Sequence, residues 1–403
     1  MLALASPLAA QTITDPTAPP AAAKPAKPDQ QPSPFTFTAA YTSDALANLS
    51  GGVSRGADYV DLLKLSAAYD GAGDHDGLTA LLSVEHFNGS NFTGDRVGGI
   101  QAASSSEAKP SALRLDQAWV QQELWSGAGA VKAGLIDINT SFDVQETAAL
   151  FLNASHGIGP DLGDTGRNGP SDYPTTALAI AAVYRPAPGW TAQFGLFDGV
   201  AGDPNHRRRF VAVQLSTDDG ALIIAQLEKR FGDTARVEIG AWTYTASFPA
   251  LGQPDVNGVF PRVAENAGAY GLVEGRLIPR PGDDAGGLNG WLRVGLANGA
   301  INRAESYLGA GLVYTGALRG RDKDELGFAI ARAGLSAGAR RAGTLQGLDI
   351  GGSETAFELT YRYAFKDWLN IQPDVQYIIN PGGNRRLGNA LVVGIRVAIT
   401  ASR

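Results

Sequence analysis

The 403-residue sequence contains no cysteine, one methionine and only four histidines. The absence of cysteine excludes disulfide bonds, thiol catalysis and thiolate metal sites, and four scattered histidines leave little for a zinc centre. The chain also lacks an apolar run of about 18–20 residues, the length that a helix needs to cross a bilayer. Residues 173–184, one of the longest uncharged stretches, are interrupted by proline and threonine. These absences argue against a helical membrane protein and leave a β-barrel open, because barrel strands hide their apolar character in alternation.

Positive charge is also in short supply. Lys and Arg number 33 against 40 Asp and Glu, which gives a net charge of −7. A protein that neutralises nucleic-acid phosphates needs the opposite balance, so no nucleic-acid partner is expected. The sequence has neither a nucleotide-binding glycine loop nor a G-x-S-x-G nucleophile motif. It therefore predicts no enzyme activity and no cofactor.

The composition favours β-structure. Glycine is abundant, with 51 residues, and charged residues make up only 18% of the chain. From residue 35 onward, segments of roughly 9–12 residues alternate apolar with polar or small side chains between Gly, Asp, Asn and Pro clusters. Sixteen such segments are predicted as strands: 35–42, 57–70, 77–87, 111–125, 130–141, 177–184, 190–198, 221–230, 235–244, 268–277, 288–297, 306–316, 324–334, 354–365, 368–379 and 389–400.

The segment 354–365 shows the alternation most clearly. Phe357 and Leu359 fall on one face of the strand, and Glu358, Thr360 and Arg362 fall on the other. A soluble β-sandwich would alternate in the same way with its apolar face inward, so alternation alone leaves both folds open. Pro373 lies inside another predicted strand and predicts a bulge or a local edge there, because proline cannot donate to a strand ladder.

Loop lengths decide between the two folds. The connections after strands 4, 6, 8 and 14 have two to five residues, whereas those after strands 3, 5, 7 and 9 have about twenty or more. Short turns at one end and long loops at the other indicate an all-β, antiparallel transmembrane barrel of about 16 strands. With an even strand count, both termini lie on the side of the periplasmic turns, and the long loops are external. Six aromatic residues near segment ends suit interfacial girdles: Tyr69, Trp125, Tyr184, Trp190, Tyr314 and Trp368.

The first 34 residues differ from the rest. Residues 1–11 read MLALASPLAAQ and are interpreted as part of a secretory signal peptide. Residues 12–34 are rich in proline and are predicted to form an extended linker in the periplasm. Residues 35–403 then form the barrel domain, which is expected in a Gram-negative outer membrane.

Several segments together resemble one known family. They include AGLIDINTSFDVQETAALFLNASHGIG at 133–159, GLFDGVAGDP at 195–204 and ELTYRYAFKDWLNIQPDVQYIINPGG at 358–383. In this order, from about residue 35 to the C-terminus, the chain is similar to the carbohydrate-selective outer-membrane porins of the OprB type. The resemblance implies a sixteen-stranded porin that passes glucose and related sugars by passive diffusion. Whether it is a monomer or a trimer is left open.

In porins the loop after the fifth strand commonly folds into the lumen, so residues 142–176 are the predicted constriction. Selecting an uncharged sugar requires hydrogen-bonding groups there, together with an aromatic face. The candidates in this loop are Glu146, Asn153, His156, Asp161 and Arg167.

Strand parity directs a further set of side chains toward the lumen. The charged ones could contact a sugar, although charge pairs that stabilise the wall are the stronger interpretation for any one of them, and the two tryptophans could stack on a sugar ring. The candidates are Arg236, Glu238, Trp242, Glu274, Arg276, Trp291, Arg293, Glu358, Arg362, Asp374 and Arg396.

Residues 207–209 are three consecutive arginines in the loop after strand 7, and they could bind lipopolysaccharide phosphates or simply be solvated. The predicted function is a porin that prefers monosaccharides such as glucose, with sugars and outer-membrane lipid as partners. A general porin, or one for anions or organic acids, is the alternative. A barrel with a plugged lumen and a structural role is a third possibility.

Overall fold

The computed structural model describes residues 33–71, 77–253, 261–263, 265–280 and 283–403, the side chains of 283–285 excepted. The predicted signal peptide and nearly all of the proline-rich linker lie outside these residues. The described chain forms a closed antiparallel barrel of sixteen strands and a separate two-stranded ribbon, β10 with β11. The strands are β1 (Phe35–Gly52), β2 (Gly56–Asp70), β3 (Leu78–Phe87), β4 (Ala112–Leu124), β5 (Gly129–Ile136), β6 (Ala177–Tyr184), β7 (Trp190–Asp198), β8 (Ala221–Phe231), β9 (Ala235–Tyr244), β10 (Phe248–Pro249), β11 (Arg262–Val263), β12 (Asn266–Arg280), β13 (Asp283–Ala297), β14 (Ala304–Thr315), β15 (Glu325–Leu335), β16 (Ser353–Lys366), β17 (Leu369–Ile379) and β18 (Gly388–Ser402).

The first and last strands close the barrel. Asp44 of β1 lies opposite Arg396 of β18 on one side and opposite Val60 of β2 on the other. Every barrel strand therefore has two hydrogen-bonded neighbours, and the sheet has no exposed edge. A β-sandwich has open edges, so the soluble alternative is excluded.

The outer face of the wall is apolar and the inner face is polar, as the alternation of side chains predicts. In β9, Val237 and Ile239 are 41% and 59% exposed on the outer face, whereas Arg236 and Glu238 are buried inside the barrel. The same inversion occurs in β16, where the outward Leu359 is half exposed. An apolar exterior around a polar interior suits a wall that contacts lipid. Among the residues described, no helix is both long enough and apolar enough to cross a membrane.

The two ends of the barrel are also distinct. Short turns join β4 to β5, β6 to β7, β8 to β9 and β16 to β17 at the turn end, where both described termini lie. All six predicted girdle aromatics are found there, in the turns or within two residues of a strand end. Trp125 packs edge-to-face on Tyr184 with 5.9 Å between ring centroids, and Phe35 contacts Tyr69 at 5.1 Å. These rings mark the interface at the turn end.

Some element boundaries differ from the predictions. β1 continues ten residues beyond the predicted end, through a stretch of Ala, Asn and Ser with a weak apolar signal. β5 ends at Ile136 because Asp137 begins a 3₁₀ turn, its carboxylate accepting a hydrogen bond from the Asn139 N–H at 2.8 Å. Helix α1 (Pro160–Gly163), helix α2 (Ala337–Leu345) and the β10–β11 ribbon were not predicted.

Pro373 interrupts a ladder without causing a bulge. Thr360 pairs with Asp374 and Tyr363 with Ile371, so β16 and β17 keep one register on both sides of the proline. The Thr360 hydroxyl donates to the Pro373 carbonyl at 3.1 Å. The predicted bulge is therefore absent, and the missing N–H instead leaves a gap in the β16–β17 ladder, which is the local edge given as the alternative.

Candidate functional site

The loop between β5 and β6, residues 137–176, folds into the barrel. Phe142, Leu152 and Leu162 are almost fully buried inside it. The 3₁₀ turn Thr147–Leu150 packs Ala148 and Leu150 against inward side chains of β12–β15. The loop predicted to narrow the lumen therefore crosses it.

Inward glutamates of the wall hold the backbone of this loop. The Glu274 carboxylate accepts hydrogen bonds from the N–H groups of Glu146 at 3.1 Å and Thr147 at 2.7 Å. The Glu358 carboxylate accepts from those of Leu152 at 2.5 Å and Asn153 at 3.0 Å. A carboxylate has two acceptor oxygens and fits two successive N–H groups, which would otherwise be buried without partners. Two of the predicted wall residues thus anchor the loop.

Arg293 of β13, the strand next to the one that carries Glu274, joins the two arms of the loop. Its guanidinium is fully buried and donates to Asp143 at 3.1 and 2.7 Å and to Asp161. The rings of Tyr270 and Tyr307 flank it, with centroids 5.4 and 5.2 Å away. One cation therefore ties residues eighteen positions apart in the loop to β13.

A second loop, which the sequence analysis did not assign to the constriction, also enters the barrel. In residues 88–111, the N–H groups of Ile100 and Gln101 donate to Glu354 at 3.0 Å each. The two loops bond to each other, since the Ser105 N–H donates to the Leu152 carbonyl at 2.7 Å. The sequence signal for this loop was its length, which led only to the prediction that it is external.

Arg396 anchors this second loop. Its guanidinium donates to both oxygens of Asp44 at 2.7 Å and lies 3.4 Å from Ser104 and 3.3 Å from Ser105. Asn153 of the first loop donates from its amide to Gln376, at 3.2 Å. The β1, β17 and β18 walls therefore hold the place where the two loops meet.

A second charge cluster lies close to the turn between β8 and β9. Arg236 bonds Glu228 at 2.8 Å, Glu238 at 3.3 Å and Glu274 at 2.6 Å. Arg230 bonds Glu228 and the side chain of Glu146. Glu146 and Arg230 are the accessible members, with 51% and 35% of their side chains exposed. The others are buried.

The two predicted aromatic candidates pack against the loop or the wall. Trp291 contacts the ring of Phe151 at 5.1 Å and that of His156 at 5.7 Å, and Trp242 packs near Tyr244. Gly311 faces Trp291 across the ladder, and a Cβ on it would lie 2.1 Å from the indole. Inward glycines thus let the large rings lie flat on the wall. Both indoles are at most 4% exposed.

The four remaining candidates are Asp374, Arg276, Arg362 and Arg167. Asp374 is buried and accepts from Gln376 at 3.0 Å, and Arg276 is half-buried near the turn end of β12. Arg362 pairs with Glu325 across the β15–β16 ladder, with under a fifth of either side chain exposed. Arg167 alone lies at the loop end, where it binds Asp219 at 3.1 Å.

Two lysines that the sequence analysis missed also project into the barrel. Lys64 is a quarter exposed and lies 3.1 Å from Asp116 and 4.0 Å from Glu85. Lys132 lies 4.5 Å from the centre of the Trp119 ring. The alternation of inward and outward side chains along β2 and β5 would have predicted these lysines, but the sequence analysis applied it only from β9 onward.

Burial shifts the ionisation of one group in the second loop. Glu107 accepts from the N–H and the hydroxyl of Thr93, at 2.6 and 2.7 Å. Desolvation outweighs these bonds and raises the pKa of Glu107 to about 7.

Open space remains beside the inserted loops. A small cleft lies between Ala149 and Leu150 of the first loop and Arg362, Gln372 and Arg396 of the wall. Its protein surface is mixed, with two guanidinium groups and the two amides of Asn370 and Gln372 among apolar groups.

A barrel of sixteen strands, narrowed by inserted loops and lined by charged pairs, has the architecture of a porin. Residues 55–400 match the profile of the carbohydrate-selective porin, OprB family. The chain belongs to this family. It is therefore a passive outer-membrane channel of a Gram-negative bacterium and not an enzyme, and its long loops start at the external end of the barrel.

Individual relatives agree with this assignment. The chain is 26% identical to Porin B of Pseudomonas aeruginosa, covering 90% of this chain and 87% of that protein. It is 23% identical to the putative porin QuiX of Acinetobacter baylyi, covering 91% and 89%. The high-pH structure of Pseudomonas putida OprB gives a TM-score of 0.81 at 24% identity, covering 91% and 94%. The low-pH structure of that protein gives 0.57 at 19% identity, covering 91% and 92%. These structural likenesses support the fold.

Proposed function

We propose that this porin prefers monosaccharides such as glucose and selects them where loops 88–111 and 137–176 narrow the barrel. The supporting observation is the way these loops cross the lumen and bond to its wall. What remains open beside them includes the cleft next to Arg362 and Arg396 and the half-exposed pair of Glu146 and Arg230. A passage of this kind limits solute size and offers hydrogen bonds to hydroxyl groups.

The exposed and buried charges have separate roles in this proposal. Glu146, Arg230 and Arg362 keep part of their side chains accessible and would contact a passing sugar. Arg293 and Glu358 are fully buried beneath the loop and would act by holding it. The accessible cations lie beside carboxylates, which favours a neutral, hydroxyl-rich solute over an anion.

Liposome swelling with the purified protein tests the preference. Glucose should enter several-fold faster than maltose and faster than an amino acid of similar size. Equal rates for glucose and the amino acid would refute the sugar preference and favour a general porin. Faster entry of a carboxylic acid would favour the alternative of an anion or organic-acid porin.

Single-channel recording tests the residues. Glu146→Gln should weaken the block of ion current by glucose, because a carboxylate at the edge of the passage is lost. Asp367→Asn is the matched control, since Asp367 is 81% exposed and pairs with Lys323 at a turn outside the lumen. Identical glucose block in the two variants would return Glu146 to a purely structural role.

A further inference from the structure

Two external connections form one unit above strands β15–β18. Residues 336–352 carry helix α2, and residues 380–387 join β17 to β18. The Gly351 N–H donates to the Gly383 carbonyl at 2.6 Å, and the Arg385 N–H donates to the Asp349 carbonyl at 2.9 Å. Their relative position is therefore fixed by backbone hydrogen bonds.

This unit concentrates positive charge in an acidic protein. Residues 336–352 and 380–387 contain four arginines and one acidic residue, Asp349, whereas the whole chain has a net charge of −7. Arg341, Arg385 and Arg386 are exposed. Arg386 is braced by donating to the Gly347 carbonyl at 3.0 Å, and Arg385 lies 3.6 Å from Asp349 with both side chains solvent-accessible. The guanidinium groups are thus presented outward from a fixed backbone.

Apolar groups accompany these charges, and one arginine lies on the outer wall itself. Leu345 and Leu348 are 69% and 40% exposed beside the arginines. Arg332 lies on the outer face of β15, in phase with the half-exposed Phe328 and three residues from the external end of the strand. We call Arg332, Arg341, Arg385, Arg386, Leu345 and Leu348 the basic rim patch.

We propose that the basic rim patch binds a phosphate-bearing lipid of the outer leaflet. Guanidinium forks match phosphate oxygens in a bidentate manner, and neighbouring leucines suit the upper part of acyl chains. The position fits this ligand, because Arg332 projects from the lipid-facing wall at the external end. A second copy of the chain fits poorly, since a two-fold interface would place these arginines against themselves.

Binding of bis-phosphorylated lipid A to the purified porin in neutral detergent, followed by native mass spectrometry, tests this proposal. Each arginine near an anionic surface contributes about five-fold in affinity, so R341A/R385A/R386A should bind about a hundred-fold more weakly. Dephosphorylated lipid A should bind the wild-type and triple-variant proteins equally. The matched control is R207A/R208A, two exposed arginines in the external loop 199–220, which should retain wild-type affinity.

Four outcomes would overturn the proposal. Unchanged affinity of the triple variant would show that the patch is only solvated, and a loss confined to R207A/R208A would assign binding to the other loop. Full competition by millimolar inorganic phosphate would make the site one for free phosphate. Dimers that the triple substitution abolishes would make the patch a contact between copies. Unaltered glucose entry in the triple variant shows that the barrel is folded and separates this test from that of sugar transport.

Discussion

Replacing Arg293 by methionine should release the inserted loop while leaving the barrel closed. Methionine has a similar length and no charge, so Asp143 and Asp161 would lose the cation that now binds both of them. Their side chains are fully buried, as is that of Arg293. No solvent reaches these groups to replace the lost partner, so the perturbation acts on the loop and its clamp.

Removing one partner of a buried charge pair typically costs about 3–5 kcal/mol, because the remaining charge is left uncompensated. Since about 1.4 kcal/mol is a factor of ten, this cost shifts the loop equilibrium by roughly a hundred-fold to a few thousand-fold toward release. The sixteen-stranded ladder has its own hydrogen bonds and should persist. The effect should therefore appear in the width of the passage rather than in the presence of the barrel.

Single-channel conductance and liposome swelling measure this effect. R293M should conduct more ions, fluctuate more between levels and admit disaccharides that the parent protein excludes. Adding Asp143→Asn and Asp161→Asn should restore much of the parent behaviour, because a neutral buried cluster no longer needs the cation. Lys323→Met, at a solvated pair with Asp367, is the control. Parent-like conductance in R293M, or no recovery in R293M/D143N/D161N, would refute the role of Arg293 in holding the loop.

Three further changes test other parts of the argument. G295A would place a Cβ 2.0 Å from the Asp161 carboxylate and should widen the channel in conductance recordings, whereas G271A, whose Cβ would lie 3.7 Å from the Glu238 carbonyl oxygen, should not. L359R on the lipid face should lower the free energy of unfolding in urea by about 2–4 kcal/mol, clearly more than L359A; an equal loss in both would contradict lipid contact. Because burial raises the pKa of Glu107 to about 7, above its unfolded value, the folded protein retains this proton longer. Stability should then fall as pH rises from about 5 to 7, and E107Q should flatten that dependence; identical pH profiles would contradict it.

The barrel was accessible from sequence because lipid imposes one simple rule on every strand. Outward positions such as Val237 and Ile239 must be apolar, and the inward positions between them are free of that demand. Period-two alternation therefore located all sixteen barrel strands. It missed the second half of β1 beyond residue 42, where two leucines among small and polar residues give only a weak apolar alternation. Helix α2 lies outside the wall and is not subject to the rule.

The interior was harder to predict because charge pattern alone does not separate contact with a solute from contact with a loop. Parity correctly indicated that Glu274 and Glu358 face inward. It carried no information that their oxygens would be occupied by backbone N–H groups from residues 146–153. Nor did it show that residues 88–111 enter the same lumen. These contacts join residues more than a hundred positions apart, and only the closed topology brings them together.

The inserted loops explain why the interior carries so many carboxylates. A chain segment that crosses a lumen exposes backbone N–H groups that strands would normally pair, and each buried one requires an acceptor. Glu274, Glu354 and Glu358 each supply two acceptor oxygens at fixed points on the wall, so each accepts two successive backbone groups. Charge placed there is committed to holding the loops, whatever the solute. Differences in selectivity among porins built in this way should therefore arise at half-exposed groups such as Glu146, where a substitution changes what a solute meets without releasing the segment that forms the passage.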